Sequence, residues 1–493
     1  MDTLFYDLEK NISKIESIFG ENADLVKRKI QIGDNSHNAY IVFIDGLANS
    51  KLIETTVIAP LVMGMKLTGE TELNTNDILD FIIKTSILSS DIKKDNNFEN
   101  IIKGVMCGDT IVFFDKCDSC LVVASRGFNS RGVPSTETEI VVQGPKDAFS
   151  ESLRTNTMLI RRRIRDENLI ISQTNVGTIT KTDIAIIYVK SIARETVVSE
   201  VFERIKNINT DAILDIGYLE QFIENDYLSP FPQCQVTERP DKAASAVLEG
   251  RVVIMSDNSP FVLIVPCFIS SFFQSPEDYY SRFEISSLSR IIRYTGAIIS
   301  TILPGLYLAI SLYSPNMLPK ELLLKMANSR EIVPFPAFVE MILMDGAFEI
   351  LKEAGIRLPS AIGSTIGVVG GIIIGNAAVE AGLVSPIVVI IVALTAICGF
   401  TLPTISLNAG IRISKYIIVI LSAFLGLLGF WAAILVIFIH LCSLKSFGFP
   451  YLYPFVSSDL NDYNDLKDTI IRPPIFFLKK RPIFAKPANR EKW

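Results

Sequence analysis

The spacing of hydrophobic and polar positions divides this chain into two halves of different character. Up to about residue 290, short apolar runs such as Ala39–Ile44 alternate with amphipathic stretches, which is typical of strands between helices. Beyond Arg290 the apolar runs lengthen to the roughly 20 residues that a helix needs to cross a bilayer. The pattern therefore predicts an α/β N-terminal soluble region of two modules, followed by an α-helical transmembrane domain and a short polar C-terminal tail.

Changes in the same pattern set the predicted boundaries. The first α/β module covers 1–144, the second covers 145–240, and a juxtamembrane hairpin and linker cover 241–289. The transmembrane domain occupies 290–445, and 446–493 is predicted to be an extended cytoplasmic tail. About four spans are predicted within the transmembrane domain, at 291–313, 361–380, 384–407 and 416–441.

The segment 335–355 is apolar but carries four carboxylates, those of Glu340, Asp345, Glu349 and Glu353. An ionised acid at the middle of a bilayer costs on the order of 3 kcal/mol on insertion scales. We therefore expect an amphipathic acidic helix that does not cross fully, although a fifth span stays open.

Two interpretations of these carboxylates stay open. Asp345, Glu349 and Glu353 recur every fourth residue and share one helix face. One interpretation is a carboxylate-lined vestibule for cations, with Glu340 as a further member. The other is the solvated acidic face of an interfacial helix, in which the acids pair with basic residues of the same helix.

The segment 361–380 has a regular glycine pattern. Gly363, Gly367, Gly371 and Gly375 recur at every fourth position, so they form one bare ridge along a helix about 30 Å long. Such a ridge lets another helix approach to backbone contact. We therefore predict that this glycine ridge packs the helix closely against neighbouring helices.

The same helix carries candidate pore positions. Thr365, Val369 and Ile373 recur off the glycine ridge, and the helix ends in the polar residues Asn376 and Glu380. If identical helices surround an axis, Asn376 and Glu380 form polar rings that select cations, and Val369 and Ile373 narrow the lumen. The alternatives are ordinary lipid or helix contacts for the apolar positions and a water-facing helix end for Glu380.

Charge and composition exclude several classes of function. The net charge is −6, the mean hydropathy is +0.36, and the chain has only two histidines, so histidine catalysis and zinc chemistry are not expected. The sequence has no phosphate loop, catalytic triad or dinucleotide fingerprint. We therefore expect a protein that is not an enzyme and has no catalytic residue, metal or cofactor. The lone pair Cys117-x-x-Cys120 is interpreted as an incidental turn.

Basic residues predict the orientation in the membrane. Arg282, Arg290 and Arg293 precede the first span, which places the N-terminal modules in the cytoplasm by the positive-inside rule. The basic tail predicts the same side for the C-terminus. The first residues lack the basic and apolar regions of a signal peptide, which agrees with a cytoplasmic soluble region.

Four longer stretches together resemble the A subunits of bacterial spore germinant receptors, the GerA family. The longest is FPAFVEMILMDGAFEILKEAGIRLPSAIGSTIGVVGGIIIGNAAVEAGLVSP, at Phe335–Pro386. The others are RGVPSTETEIVVQGPKDAFSESLRTNTMLIRRRI at Arg131–Ile164, TKTDIAIIYVKSIA at Thr180–Ala193 and FFQSPEDYYSRF at Phe272–Phe283. The resemblance runs from about residue 35 to 450, with Gln143 as a departure where a basic residue is expected.

The resemblance implies a multi-pass protein of the spore inner membrane with its N-terminal region facing the spore core. It implies a homo-oligomer, a pentamer, that works with a permease-like B subunit and a lipoprotein C subunit and contacts membrane lipid but no nucleic acid. The implied function is a nutrient-gated channel for monovalent cations that triggers germination. The alternatives are an accessory A-type germination protein that amplifies ion release and a signalling scaffold without a pore.

Overall fold

In the computed structural model, the short apolar runs of the first half form two antiparallel sheets. The strands of the first sheet are Leu25–Ile32 (β1), His37–Ile44 (β2), Ile92–Asp95 (β3), Thr110–Phe114 (β4) and Cys120–Val123 (β5). They lie in the order β1-β2-β4-β5-β3, and the central strand β4 is buried along its whole length.

The strands of the second sheet are Leu169–Val176 (β6), Thr182–Val189 (β7), Gln235–Thr237 (β8), Val252–Ser256 (β9) and Val262–Val265 (β10). They lie in the order β6-β7-β9-β10-β8. Every residue of β9 and β10 is buried. The hairpin expected in the juxtamembrane linker is therefore part of this sheet. Its continuous apolar runs are typical of strands that are covered on both faces.

The structure describes residues 3–32, 37–64, 79, 82–83, 87, 91–127, 133–357, 371, 373–456 and 465–492. The chain divides into two units, which are described separately below. The first unit comprises Met1–Glu224, Cys234–Pro266 and Lys479–Trp493. The second comprises Asn225–Gln233 and Cys267–Leu478.

Amphipathic helices cover the sheets of the first unit, and side-chain caps fix where several of them begin. Asp7, Asn97 and Asp215 each accept a hydrogen bond from a first-turn backbone N–H. The helices are Leu8–Phe19 (α1), Phe98–Cys107 (α2), Leu153–Arg163 (α3), Glu195–Lys206 (α4), Ile216–Ile223 (α5) and Pro240–Leu248 (α6). A short helix at Ser50–Ile53 continues into π-helical turns at Glu54–Ile58 and Pro60–Gly64.

One hydrophobic core runs through both modules of the first unit. Next to it, the buried guanidinium of Arg161 on α3 donates to both carboxylate oxygens of Asp24, at 2.8 and 2.9 Å, and to the Asn22 side chain at 2.7 Å. This pair links the second module to the first. The prediction of an α/β soluble region of two modules is confirmed, and both sheets are antiparallel.

The second unit is helical. Its longer helices are Phe283–Tyr313 (α7), Lys320–Arg330 (α8), Ala337–Arg357 (α9), Pro386–Phe400 (α10) and Ile405–Ser443 (α11). Among the described residues, α7 and α11 are long and apolar enough to cross a membrane. Helix α10 is shorter than the predicted span 384–407. Pro403 disfavours the helical conformation of the residue before it, Leu402, so the helix ends just before this point.

Helix α11 turns back on itself at Gly426. This residue has φ +62° and ψ −139°, outside the helical region. Ile411, before the turn, and Leu441, after it, line the same cavity, although a straight helix would place them about 45 Å apart. The predicted single span 416–441 is therefore a helical hairpin with arms at 405–425 and 427–443.

Shorter elements complete the second unit. They are helices at Glu277–Tyr280 and Ala378–Glu380, a π-helical turn at Ile373–Ala377, 3₁₀ turns at Ile269–Phe272, Pro315–Met317, Asp465–Asp468 and Ile475–Phe477, and paired strands at Lys445–Ser446 and Phe449–Pro450.

The predicted extended tail is divided between the two units. Residues up to Leu478 belong to the second unit, and Lys479–Trp493 belong to the first. Ala485 forms a β-bridge with Ala193 and is fully buried in the core of the first unit. The tail therefore contributes to both folded units, which its polar composition did not indicate.

Candidate functional site in the helical unit

Asp345 on α9 and Lys415 on α11 form a buried ion pair. The ammonium group of Lys415 lies 2.7 Å from each carboxylate oxygen of Asp345, and both side chains are at most one-tenth exposed. Two opposite charges inside an apolar helical unit are stable only together, because each alone carries a desolvation penalty of several kcal/mol. The pair therefore fixes α9 against the first arm of the hairpin.

A second ion pair lies one helical turn away. Arg412 on α11 donates to Glu349 on α9 at 2.7 Å. The acids are four residues apart on one helix and the bases are three apart on the other, so each set shares one face. We call these four residues the charge cluster: Asp345, Glu349, Arg412 and Lys415.

The charge cluster borders a small cavity whose wall has both polar and apolar parts. About 30 Å³ of the cavity is open to a water molecule, and buried waters need roughly 10–15 Å³ measured in this way. Ser300, Thr395 and Asn408 add polar groups to its wall, and Lys352 adds a third cation. The cavity has the size, and enough polar groups in its wall, to hold one or two bound waters beside the ion pairs.

Glu340 and Glu353 lie in different surroundings from the charge cluster. Glu340 is fully buried, and its carboxylate accepts from the backbone N–H of Ser385 at 2.9 Å, at the start of α10. Its other oxygen lies 3.4 Å from Nε of Arg330. Glu353 is exposed. The four acids proposed as one vestibule therefore occupy three separate environments.

Part of the glycine ridge and of the candidate pore lies outside the described residues, namely Gly363, Thr365, Gly367 and Val369. Ile373 begins a π-helical turn, of which the structure describes the backbone.

The described end of the same segment has an open surface. Gly371 is exposed, and a Cβ added there would meet no described atom within 4 Å. A Cβ at Gly375 would lie 3.7 Å from Val389 of α10, an ordinary contact. Asn376 and Glu380 are exposed. This segment therefore presents a bare glycine and two polar side chains at the surface of the second unit.

Comparison with known families assigns the chain. The family model described as "GerA: Bacillus/Clostridium GerA spore germination protein" matches residues 13–484, nearly the whole chain. The chain belongs to the GerA family. The resemblance noted in the sequence is thereby confirmed.

GerA-family relatives match this chain over most of its length. Spore germination protein KA of Bacillus subtilis is 40% identical over 476 residues, which cover 96% of this chain and 86% of the relative. Stage V sporulation protein AF of the same organism is 30% identical over 488 residues, with coverages of 98% and 96%. The solved N-terminal domain of the A subunit of the Bacillus megaterium spore germinant receptor GerK3 is 32% identical, with a TM-score of 0.42, and the match covers 53% of this chain and 96% of that domain.

Arg412 and Lys415 were missed as site residues in this GerA protein. Their signal was present: two basic residues three apart near the start of a strongly apolar helix. Charged residues in such positions face a partner or a cavity rather than lipid.

Among the described residues, no group of three or more His, Cys, Asp or Glu side chains has the arrangement of a metal site. Cys117 and Cys120 are both buried. Burial, together with the charges of Asp118 and Asp115, raises the pKa of Cys117 to about 11, so its thiol stays protonated at neutral pH. Because the thiolate is the metal ligand, this environment disfavours metal binding.

Proposed function

We propose that this protein is the A subunit of a spore germinant receptor and that its copies assemble, as a pentamer, into a nutrient-gated channel for monovalent cations. Its partners are a permease-like B subunit and a lipoprotein C subunit. It lies in the spore inner membrane, with the sheets of the first unit facing the spore core.

One observation carries the channel proposal: Gly371, Asn376 and Glu380 are all exposed on a segment of the helical unit. A carboxylate facing lipid is costly, whereas one facing a water-filled path is not. A bare glycine favours close contact with another helix. An assembly around an axis satisfies both requirements, because the glycines pack sideways while Asn376 and Glu380 line the path.

The charge cluster has a different role in this proposal. Asp345 and Glu349 each have a basic partner within 2.7 Å, so their charges are already neutralised in the protomer. They act as a clamp between α9 and the hairpin. Cation selection is assigned to Glu380, with Asn376 beside it.

The accessory role is the second candidate, because one relative that matches nearly the whole chain is named for stage V sporulation rather than for germination. The higher identity to spore germination protein KA, 40% against 30%, favours the receptor subunit.

The test is ion flux through the full chain, reconstituted with its two partner subunits into vesicles under a salt gradient and exposed to a mixture of amino acids and sugars as nutrients. We expect a cation-selective reversal potential, a loss of selectivity in Glu380→Gln and a reversed preference in Glu380→Lys. Glu331→Gln, at an exposed acid after α8, is the matched control and should behave like the parent. Selectivity unchanged by both substitutions at Glu380 would sink its assigned role, and a complex without flux would favour the scaffold.

A further inference from the structure

A narrow apolar cavity lies between α7 and the two arms of the α11 hairpin. Its volume is about 310 Å³, and its wall includes Ile302 of α7, Ile418 of the first arm and Ile434 of the second. An apolar cavity of about 150 Å³ is already large enough to bind benzene. This cavity, which we call the hairpin cavity, therefore has room for a larger ligand.

The wall of the hairpin cavity offers water almost no hydrogen bonds. Thirteen of its fifteen residues are apolar, and the two exceptions are Thr301 and Ser414. The Thr301 hydroxyl donates to the backbone carbonyl of Ala297 at 2.7 Å, within its own helix. The Ser414 hydroxyl likewise donates to the carbonyl of Gly410 at 2.9 Å. Since a buried water needs about two to four polar partners, the wall selects an apolar ligand.

The shape of the hairpin cavity selects a single chain. Its lining residues on the first arm run from Leu407 to Ile418, which is about 16 Å at 1.5 Å per residue. Spread over this length, the volume gives a mean cross-section of about 20 Å², roughly a quarter of that of a helix with its side chains. The cavity is therefore too narrow for a helix of another protein, and it fits an unbranched hydrocarbon chain that runs along the helices.

One side of the hairpin cavity opens to the surface of the second unit. Ile298 of α7 and Phe438 of α11 line the cavity and are each 57% exposed, whereas Leu407 and Ile418 deeper inside are 1% exposed. Helices α7 and α11 are long and apolar enough to cross a bilayer. In a bilayer, the medium at this opening is the hydrocarbon region, whose acyl chains run across the membrane as the helices do.

We propose that an acyl chain of a membrane phospholipid occupies the hairpin cavity. The chain enters between Ile298 and Phe438 and reaches Ile411 and Ile418. Because an empty apolar cavity destabilises a protein in proportion to its volume, the bound chain stabilises the packing of α7 against both arms of the hairpin. This inference goes beyond the proposed channel, because it requires a bilayer around the helices and requires no pore.

The test is photo-crosslinking of the full chain in nanodiscs. The probe is a phosphatidylglycerol with a diazirine midway along one acyl chain, and mass spectrometry locates the labelled residues. We expect label on the buried residues Ile411 and Ile418 as well as on Ile298 and Phe438 at the opening. Label at the opening alone would overturn the proposal in favour of a cavity that is closed or covered by another chain. Label on the buried residues from a free fatty acid with the same diazirine, but not from the phospholipid, would overturn it in favour of a free fatty acid.

A pair of variants tests whether the label reaches the buried residues through the cavity. Ala297→Phe places a ring in the hairpin cavity, so labelling of Ile411 and Ile418 should fall by about tenfold, because the ring and the chain clash. Ala432→Phe, at an exposed position of the second arm outside the cavity wall, is the matched control and should be labelled like the parent. Equal labelling of the two variants would contradict the proposed route. The labelling of the parent decides the proposal without either variant, so it stands as a test even where Ala297→Phe does not fold.

Discussion

At the scale of single residues, the Asp345–Lys415 pair shows what sequence spacing reveals. The four-residue spacing of the acids placed Asp345 and Glu349 on one helix face, and the structure has them there. Their partners lie 70 and 63 residues further along the chain. No local periodicity relates positions so far apart, since the pairing depends on how α9 and α11 pack.

The first prediction concerns this pair. Asp345→Asn and Lys415→Met should each destabilise the protein by about 3–5 kcal/mol, because each leaves an unpaired charge in an apolar interior. The double variant should recover much of this loss, since no buried charge then remains. The measurement is the apparent melting temperature of the detergent-solubilised full chain.

Glu321→Gln serves as the control for this prediction, since Glu321 is exposed on α8. If the two single losses added in full in the double variant, the two side chains would not be coupled, and the clamp would be wrong.

Glu220, on α5, gives a second prediction at this scale. Burial, with the neighbouring carboxylates of Glu224 and Asp215, raises the pKa of Glu220 to about 7. In an unfolded chain a glutamate has a pKa of about 4.3. The folded protein therefore holds this proton more tightly, so stability falls as the pH rises from about 4.5 to 7.

Glu220→Gln should remove this loss, because the amide stays neutral. The gain above pH 7 should be on the order of 1–2 kcal/mol, a value reduced from the full shift because the side chain is partly exposed. The measurement is amide hydrogen exchange across α5 in the full chain at pH 5 and pH 8, with the exposed Glu203→Gln as control. The Glu220→Gln variant should be more protected from exchange than the parent at pH 8 but not at pH 5. Equal protection of variant and parent at both pH values would contradict the titration.

At the scale of elements, the sequence predicted the alternation of strands and helices in the first unit but not the hairpin in α11. Local runs of apolar residues mark strands, as at Ala39–Ile44, which lies within β2. The run 416–441 is apolar throughout, so a turn within it leaves no change of polarity. Gly426 and Gly429 lie at the turn, and glycines inside an apolar helix are otherwise unremarkable.

Gly426→Ala should destabilise the hairpin. The residue has φ +62°, and an added Cβ would lie 2.7–2.9 Å from the Tyr313 side chain. Backbone strain and steric overlap together should lower the free energy of unfolding by about 2–4 kcal/mol. The measurement is again the apparent melting temperature of the full chain.

Gly346→Ala is the matched control for the hairpin. This glycine lies inside α9, where a Cβ would meet no described atom within 4 Å. Alanine there should be neutral or stabilise the protein by up to about 1 kcal/mol. Equal melting temperatures for the two variants would contradict the tight turn.

At the scale of the whole molecule, residues 3–224 and 479–492 belong to one folded unit. They therefore lie on the same side of any membrane that the intervening chain crosses, and the number of crossings between them is even. The sequence predicted this parity from basic residues, whereas the fold requires it through contacts such as the Ala193–Ala485 bridge. Composition could not reveal those contacts, because the tail is polar as a whole and its buried residues in the first unit form one short run, Ile483–Ala485.

The tail also affects the order of events during synthesis. The strands of both sheets are translated early. Gly250 and Ala193 contact Ala485, which is translated only after every helix of the second unit. Ile483, Phe484 and Ala485 are each fully buried. A chain interrupted before them displays uncovered hydrophobic surface, the feature that chaperones and proteases recognise. Translation through the tail is therefore a condition for the native stability of a unit whose sheets were finished long before.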